Sequence, residues 1–159
     1  MTRIHAEAAA EIAAPSAEIY AILADYHHGH PNILPQQHFS DLRVEQGGQG
    51  AGTLIRVKVG VFGIEHEYHM VVSEPEPGRV LAETDVNTGL VTTFTVTPIG
   101  NGEHARVQIA TDWDAKPGLS GLMERLTTPP IMRWIYRKEL QQLAAYVRSK
   151  SPATSSIAR

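Results

Sequence analysis

Two stretches of the chain carry side chains whose types and spacing suit chemistry. "LADYHHGHPNILP", residues 23 to 35, sets His27, His28 and His30 within four positions. "IEHEYHMVV", residues 64 to 72, alternates His66 and Tyr68 with Glu65, Glu67 and His69. Clustered neutral imidazoles suit zinc, nickel or copper. No acid lies among the histidines themselves, Asp25 is expected to end the preceding helix, and Gly29 interrupts the helical spacing that would put two histidines on one face. The expectation is no metal. A loop at the rim of a cavity, made mobile by Gly29 and Pro31, is one reading of His27, His28 and His30; a plain solvated loop is the other.

The elements that position these residues follow from periodicity. Residues 4 to 12 alternate Ile4, Ala6, Ala8, Ala10 and Ile12 against His5, Glu7, Ala9 and Glu11, a strand with one small apolar face. "APSAEIYAILADY" changes to helical period, with Ile19, Ile22, Leu23 and Tyr26 on one stripe. Pro15 suits the first helical position and Glu18 the positive helix end. From residue 38 to 113 the helical period is lost. Glycine- and proline-rich turns at 47–52, 60–63, 74–78, 87–89 and 100–103 separate segments rich in Val, Ile, Thr and Phe, which predicts an antiparallel meander. "GGQGAG" lies between strands and reads as a hairpin, not a phosphate cradle. Leu119, Leu122, Leu126, Ile131, Ile135, Leu140, Leu143 and Val147 predict one long helix from about 118 to 149. Pro129 and Pro130 are expected to kink or split it. One domain, residues 1 to 149, and a flexible tail, 150 to 159, account for the whole chain.

Composition narrows the partners. The formal net charge is −3 with no long basic run, so nucleic acid has no electrostatic support. Cysteine is absent, which removes disulfides and thiolate metal sites and suits the cytoplasm. No apolar stretch approaches the ~18 residues of a membrane span, and the N-terminus carries acids unlike a signal peptide.

Strand parity then assigns an inner face. Arg56 and Lys58 belong in water, so Ile55, Val57 and Val59 turn inward. Val107, Ile109, Thr111 and Trp113 do the same on one later segment, and Leu90, Thr92, Phe94 and Val96 on another. Burying Glu65 and Glu67 without a cation would cost several kcal/mol, so Ile64, His66, Tyr68, Met70 and Val72 face in. His66 and Tyr68 are the clearly ionisable residues that this reading sends inward. One reading makes them packed, hydrogen-bonded core residues; the other makes them groups that orient a ligand or move its proton.

The strings "EIAAPSAEIYAILADY", "GGQGAGT", "VSEPEPGRVL", "TTFTVTPIGNG" and "GLSGLMERLTTPPIMRWIYRKELQQLAAYV" resemble the SRPBCC, or START-like, superfamily, and its polyketide cyclase/dehydrase branch in particular. They span roughly residues 4 to 147. The resemblance implies an α+β helix-grip fold: six or seven antiparallel strands wrapped around a long C-terminal helix, with short helices after the first strand. It implies a cavity between sheet and helix, no cofactor, and an apolar or aromatic, lipid- or polyketide-like small molecule as partner. The cavity set is then Ile55, Val57, His66, Tyr68, Met70, Thr92, Phe94, Ile109, Thr111 and Trp113, with Leu122 and Leu126 from the helix. Three functions stay open: ligand binding without chemistry, a cyclase or dehydratase using His66 and Tyr68 as acid/base groups, and a protein-interaction module.

Overall fold

The computed structural model describes residues 2–150. The elements are β1 (Arg3–Ile12), α1 (Ser16–Ala24), α2 (Gly29–Ile33), β2 (Phe39–Gln46), β3 (Leu54–Val61), β4 (Ile64–Glu76), β5 (Val80–Asp85), β6 (Val91–Ile99), β7 (His104–Asp114) and α3 (Gly118–Lys150). The tail expected over 150 to 159 lies, from 151 onward, outside the described residues.

Seven strands form one antiparallel sheet in the order β1-β7-β6-β5-β4-β3-β2. β1 and β2 follow each other in the chain yet occupy opposite edges, so α1 and α2 carry the chain across. The inner face packs Ile55, Met70, Val72, Leu81, Phe94, Val96, Val107 and Ile109 against Tyr136, Leu140, Leu143 and Val147 of α3. The outer face is polar. Arg56 pairs with Glu45 and, at 3.1 Å, with Glu67, while His69 meets Glu45 at 2.9 Å. The sheet is thus apolar inward and wet outward, as alternation requires. The helix-grip architecture expected from the sequence is the one present.

Two expectations change. α3 is helical from Gly118 to Lys150, through Pro129 and Pro130 without a break. Each proline lacks a backbone donor, yet the expected split does not occur. Moreover, Leu119, Leu122 and Leu126 do not join the core stripe and are 76%, 50% and 65% exposed. In those first turns the faces turned toward the protein belong to Gly121 and Glu124. A Cβ at residue 121 would collide with the Lys116 carbonyl, and Glu124 accepts from the Trp113 indole at 2.9 Å.

The histidine loop is fastened from both sides. The Tyr26 amide donates to the Gly48 carbonyl and the Gly50 amide to the Ala24 carbonyl, each at 2.9 Å. Asp25 Oδ1 accepts from the amides of His27 and His28 and from Gln49 Nε2. The glycine-rich β2–β3 hairpin therefore clamps the α1–α2 corner. At that corner Gly29 starts α2 where a Cβ would meet the Ile22 carbonyl and Cα. That close approach turns His30 into the core. Replacing Gly29 by Ala forces α1 and α2 apart and should cost roughly 1–3 kcal/mol, as overpacking does. Urea denaturation checks this; an unchanged midpoint would contradict the close approach.

Candidate functional site

Between the sheet and the inner face of α3 lies a cavity of about 340 Å³. β3 and β4 supply Val57, Val59, His66, Tyr68 and Met70; β6 supplies Thr92 and Phe94; α3 supplies Ile131, Met132, Ile135, Tyr136 and Glu139. His30 of α2 and Glu83 of β5 complete its polar lining. Register explains the strand contributions. Val57 faces Tyr68, Val59 faces His66, and Glu83 faces Thr92 across neighbouring strands, so each pair shares the inner side.

Parity is right along β4, but depth differs. Met70 and Val72 are buried, Tyr68 is half-buried, and His66 and Ile64 are exposed at the mouth. Covering by α3 ends before the tip of the β3–β4 hairpin, so inward-facing residues there remain in water. The His66 and Tyr68 rings lie 6.4 Å apart, and the Tyr68 hydroxyl has no hydrogen-bond partner among the described residues. Burial raises the Tyr68 hydroxyl pKa, so it remains a donor at neutral pH.

Six of the twelve expected cavity residues line it: Val57, His66, Tyr68, Met70, Thr92 and Phe94. Ile55 and Ile109 sit behind the lining in the core. Trp113 forms a second small cluster with Ile4 and Ala6. Thr111 is one layer back, its hydroxyl shared with Thr92 at 2.7 Å and with the Tyr136 hydroxyl. Leu122 and Leu126 lie on the far side of α3, outside the cavity.

The three histidines separate. His27 and His28 are exposed and away from the cavity lining, whereas His30 is 2% exposed and faces the interior. Of the two readings of this stretch, His27 and His28 match the solvated loop and not the cavity rim, while the helical turn begun at Gly29 points His30 into the interior. His30 Nδ1 donates to the Leu23 carbonyl at 2.8 Å, which leaves Nε2 facing Glu83 Oε1 at 3.4 Å. Its ring stacks on Tyr26 at 4.5 Å, and Phe94 meets it edge-on. The Tyr26 hydroxyl donates to the same Glu83 oxygen at 2.7 Å. Burial, then the Glu83 charge, raises the Tyr26 pKa well above its usual value and keeps this donor protonated.

Glu139 completes the set and differs from Glu83. It is 2% exposed, and its Oε1 is buried without a hydrogen-bond partner. Burial first, and the Glu83 charge second, push its carboxyl pKa well above the ordinary range. Glu83 accepts from the Tyr26 hydroxyl, whereas burial and the Glu83 charge favour the protonated form of Glu139. Sequence reasoning passed over both. Glu139 lies four residues after Ile135 and four before Leu143, in the middle of the buried stripe, so helical spacing was the available signal. Glu83 carried no such signal, since only its pairing with Thr92 decides its side.

Residues 3–148 match the family described as polyketide cyclase/dehydrase and lipid transport. The chain belongs to that family. It is 30% identical to KanY protein, with 93% of this chain and 99% of that one covered and a TM-score of 0.80. The Zhui aromatase/cyclase from Streptomyces sp. R1128 is 17% identical, covering 97% and 99%, with a TM-score of 0.79. Norcoclaurine synthase from Thalictrum flavum is 18% identical, covering 94% and 88%, with a TM-score of 0.71. These last two likenesses are of fold. No curated protein matches the chain. Among the described residues no helix is long and apolar enough to cross a membrane.

Two measurements test the site's electrostatics and hydrogen bonding. The native Glu139 binds its proton above the ordinary value of 4.5, where the unfolded chain has released it. Stability therefore falls as pH rises through that interval. Melting temperatures of Glu139→Gln relative to wild type should increase from pH 4.5 upward and level off above the raised native pKa; parallel curves would deny the shift. Tyr68→Phe should leave stability nearly unchanged, because its hydroxyl strands no partner. Thr111→Val breaks the buried Thr92–Thr111–Tyr136 hydroxyl chain and should cost roughly 1–3 kcal/mol. Equal losses in urea denaturation would reverse that assignment.

Proposed function

We propose that the cavity binds an apolar, aromatic or polyketide-like molecule bearing oxygen substituents, and that the protein catalyses proton transfer on it, as in cyclisation or dehydration. The observation carrying this reading is the unpartnered carboxylic acid of Glu139, buried in an apolar cavity beside Glu83. Packing alone gives no reason to keep such a group, since an unsatisfied buried carboxyl costs stability. A neutral acid aimed at a bound carbonyl or hydroxyl oxygen is a useful proton donor.

In an intramolecular aldol closure, a base removes a proton from the carbon beside one carbonyl, and that carbon bonds to a second carbonyl carbon. Glu139 gives its proton to the second carbonyl's oxygen, which becomes a hydroxyl. Loss of that hydroxyl with a neighbouring hydrogen then releases water and forms the double bond. The accepting side of the cavity is Glu83, oriented by the Tyr26 hydroxyl and flanked by His30. His66 and Tyr68 lie nearer the mouth, where they hydrogen-bond the outer part of the same ligand. The chain's lack of cysteine supports work in the cytoplasm.

Ligand carriage without chemistry is the second reading, supported by the predominantly apolar lining. Native mass spectrometry of protein purified from its source identifies the bound molecule. With that molecule, Glu139→Gln should lower turnover at least about 100-fold while affinity stays within a few-fold. Turnover retained in the variant removes Glu139 as the acid; absence of turnover in wild type leaves carriage.

A further inference from the structure

α3 concentrates charge of one sign. It carries Arg125, Arg133, Arg137, Lys138, Arg148 and Lys150 against two acids, in a chain whose net charge is −3. Both acids are committed inward. Glu124 accepts from the Trp113 indole and the Lys116 amide, and Glu139 is inside the cavity. The outer surface of the helix therefore presents cations with no carboxylate of its own.

The same surface is apolar at its start. Leu119, Leu122, Met123 and Leu126 are each at least half exposed and follow the i, i+3, i+4, i+7 spacing of a single stripe. At 100° per residue Arg133 and Arg137 continue the line of Leu122 and Leu126, all four within about 60° of one another. Where Leu126 ends the stripe, Arg3 of β1 joins Arg125 and Arg133 around an open cleft. Arg3 reaches a carboxylate, that of Asp114, at 3.9 Å, and Arg125 and Arg133 have no ion-pair partner among the described residues. A second exposed apolar group, Phe62 and Ile64 at the β3–β4 tip, forms a lip of the cavity.

We propose that this face docks on an anionic phospholipid surface, with Arg3, Arg125 and Arg133 seating lipid phosphate and the leucine stripe entering the acyl boundary. Leucines on one face with arginines beside and beyond them are the composition of a helix that lies in a membrane interface. A second copy is a poor occupant, because a two-fold contact would set this cationic face against itself. A compact acidic protein fits less well than a plane. The cations extend along a helix about 50 Å long, and the apolar residues form a ridge, not a pocket that would receive a partner's anchors. Docking does not depend on what chemistry Glu139 performs.

The test is co-sedimentation of the full chain with phosphatidylcholine vesicles, with and without a third of phosphatidylglycerol, at low and high salt. Binding should require the anionic lipid and weaken with salt. Arg125→Glu/Arg133→Glu should reduce partitioning about tenfold or more, and Leu122→Ser/Leu126→Ser should reduce it at low salt as well. All four positions are exposed, so thermal melts of both variants should match wild type. Equal binding to both vesicle types, no binding, or binding indifferent to both variants overturns the proposal. So does a concentration-dependent dimer that the variants abolish while wild type ignores vesicles, or capture of an acidic protein under the same conditions.

Discussion

Glu139 holds a carboxyl group inside an apolar cavity with one oxygen unsatisfied, and much of the molecule serves to keep it there. A lone buried carboxyl escapes its desolvation cost by taking up a proton, by finding a donor, or by letting water in. Here the donors are spent elsewhere: Tyr26 on Glu83, the His30 Nδ1–H on the Leu23 carbonyl, and the Tyr136 hydroxyl on the Thr111–Thr92 chain. Ile135 and Leu143, one turn away on either side, bury the position. That burial and the neighbouring Glu83 charge raise the Glu139 pKa well above the ordinary range.

That constraint explains why the histidine corner is built so tightly. His30 reaches the cavity because Gly29 allows α2 to start against the Ile22 backbone, and because the β2–β3 hairpin grips residues 24 to 26. Gly48 is part of the same device. It has φ +130°, and a Cβ there would collide with the His27 imidazole. The glycine-rich string is thus a clamp on the α1–α2 turn. Its distance from the carboxyl pair is bridged by Tyr26, which stacks on His30 and donates to Glu83.

The two sides of α3 divide the protein's work. Inward it offers Ile131, Met132, Ile135, Tyr136 and Glu139 to a cavity; outward it offers leucines and cations to an anionic surface. Cavity depth orders the rest. Polar groups lie at the inner end beneath Phe94, while Phe62, Ile64 and His66 stand at the exposed mouth. A ligand with a polar end and an apolar body would enter with the polar end leading.

The sequence by itself determined the element order, the antiparallel sheet, the long C-terminal helix and the parity of β3, β4, β6 and β7, because these rest on periodicities of two and 3.6 that each segment carries locally. It also pointed to Val57, His66, Tyr68, Met70, Thr92 and Phe94 as cavity walls. Tertiary structure alone decided the chemistry. β5 sets Leu81, Glu83 and Asp85 on one parity and Val80, Ala82 and Thr84 on the other, so its pattern favours the wrong face for Glu83, and only pairing with Thr92 places it inside. The helical stripe did hold Glu139, but nothing local tells whether a charged residue amid apolar ones finds a partner. The same limit applies to Leu122 and Leu126, whose spacing is that of a core. What a helix buries depends on what the sheet leaves open opposite each turn, and that is a property of the assembled fold.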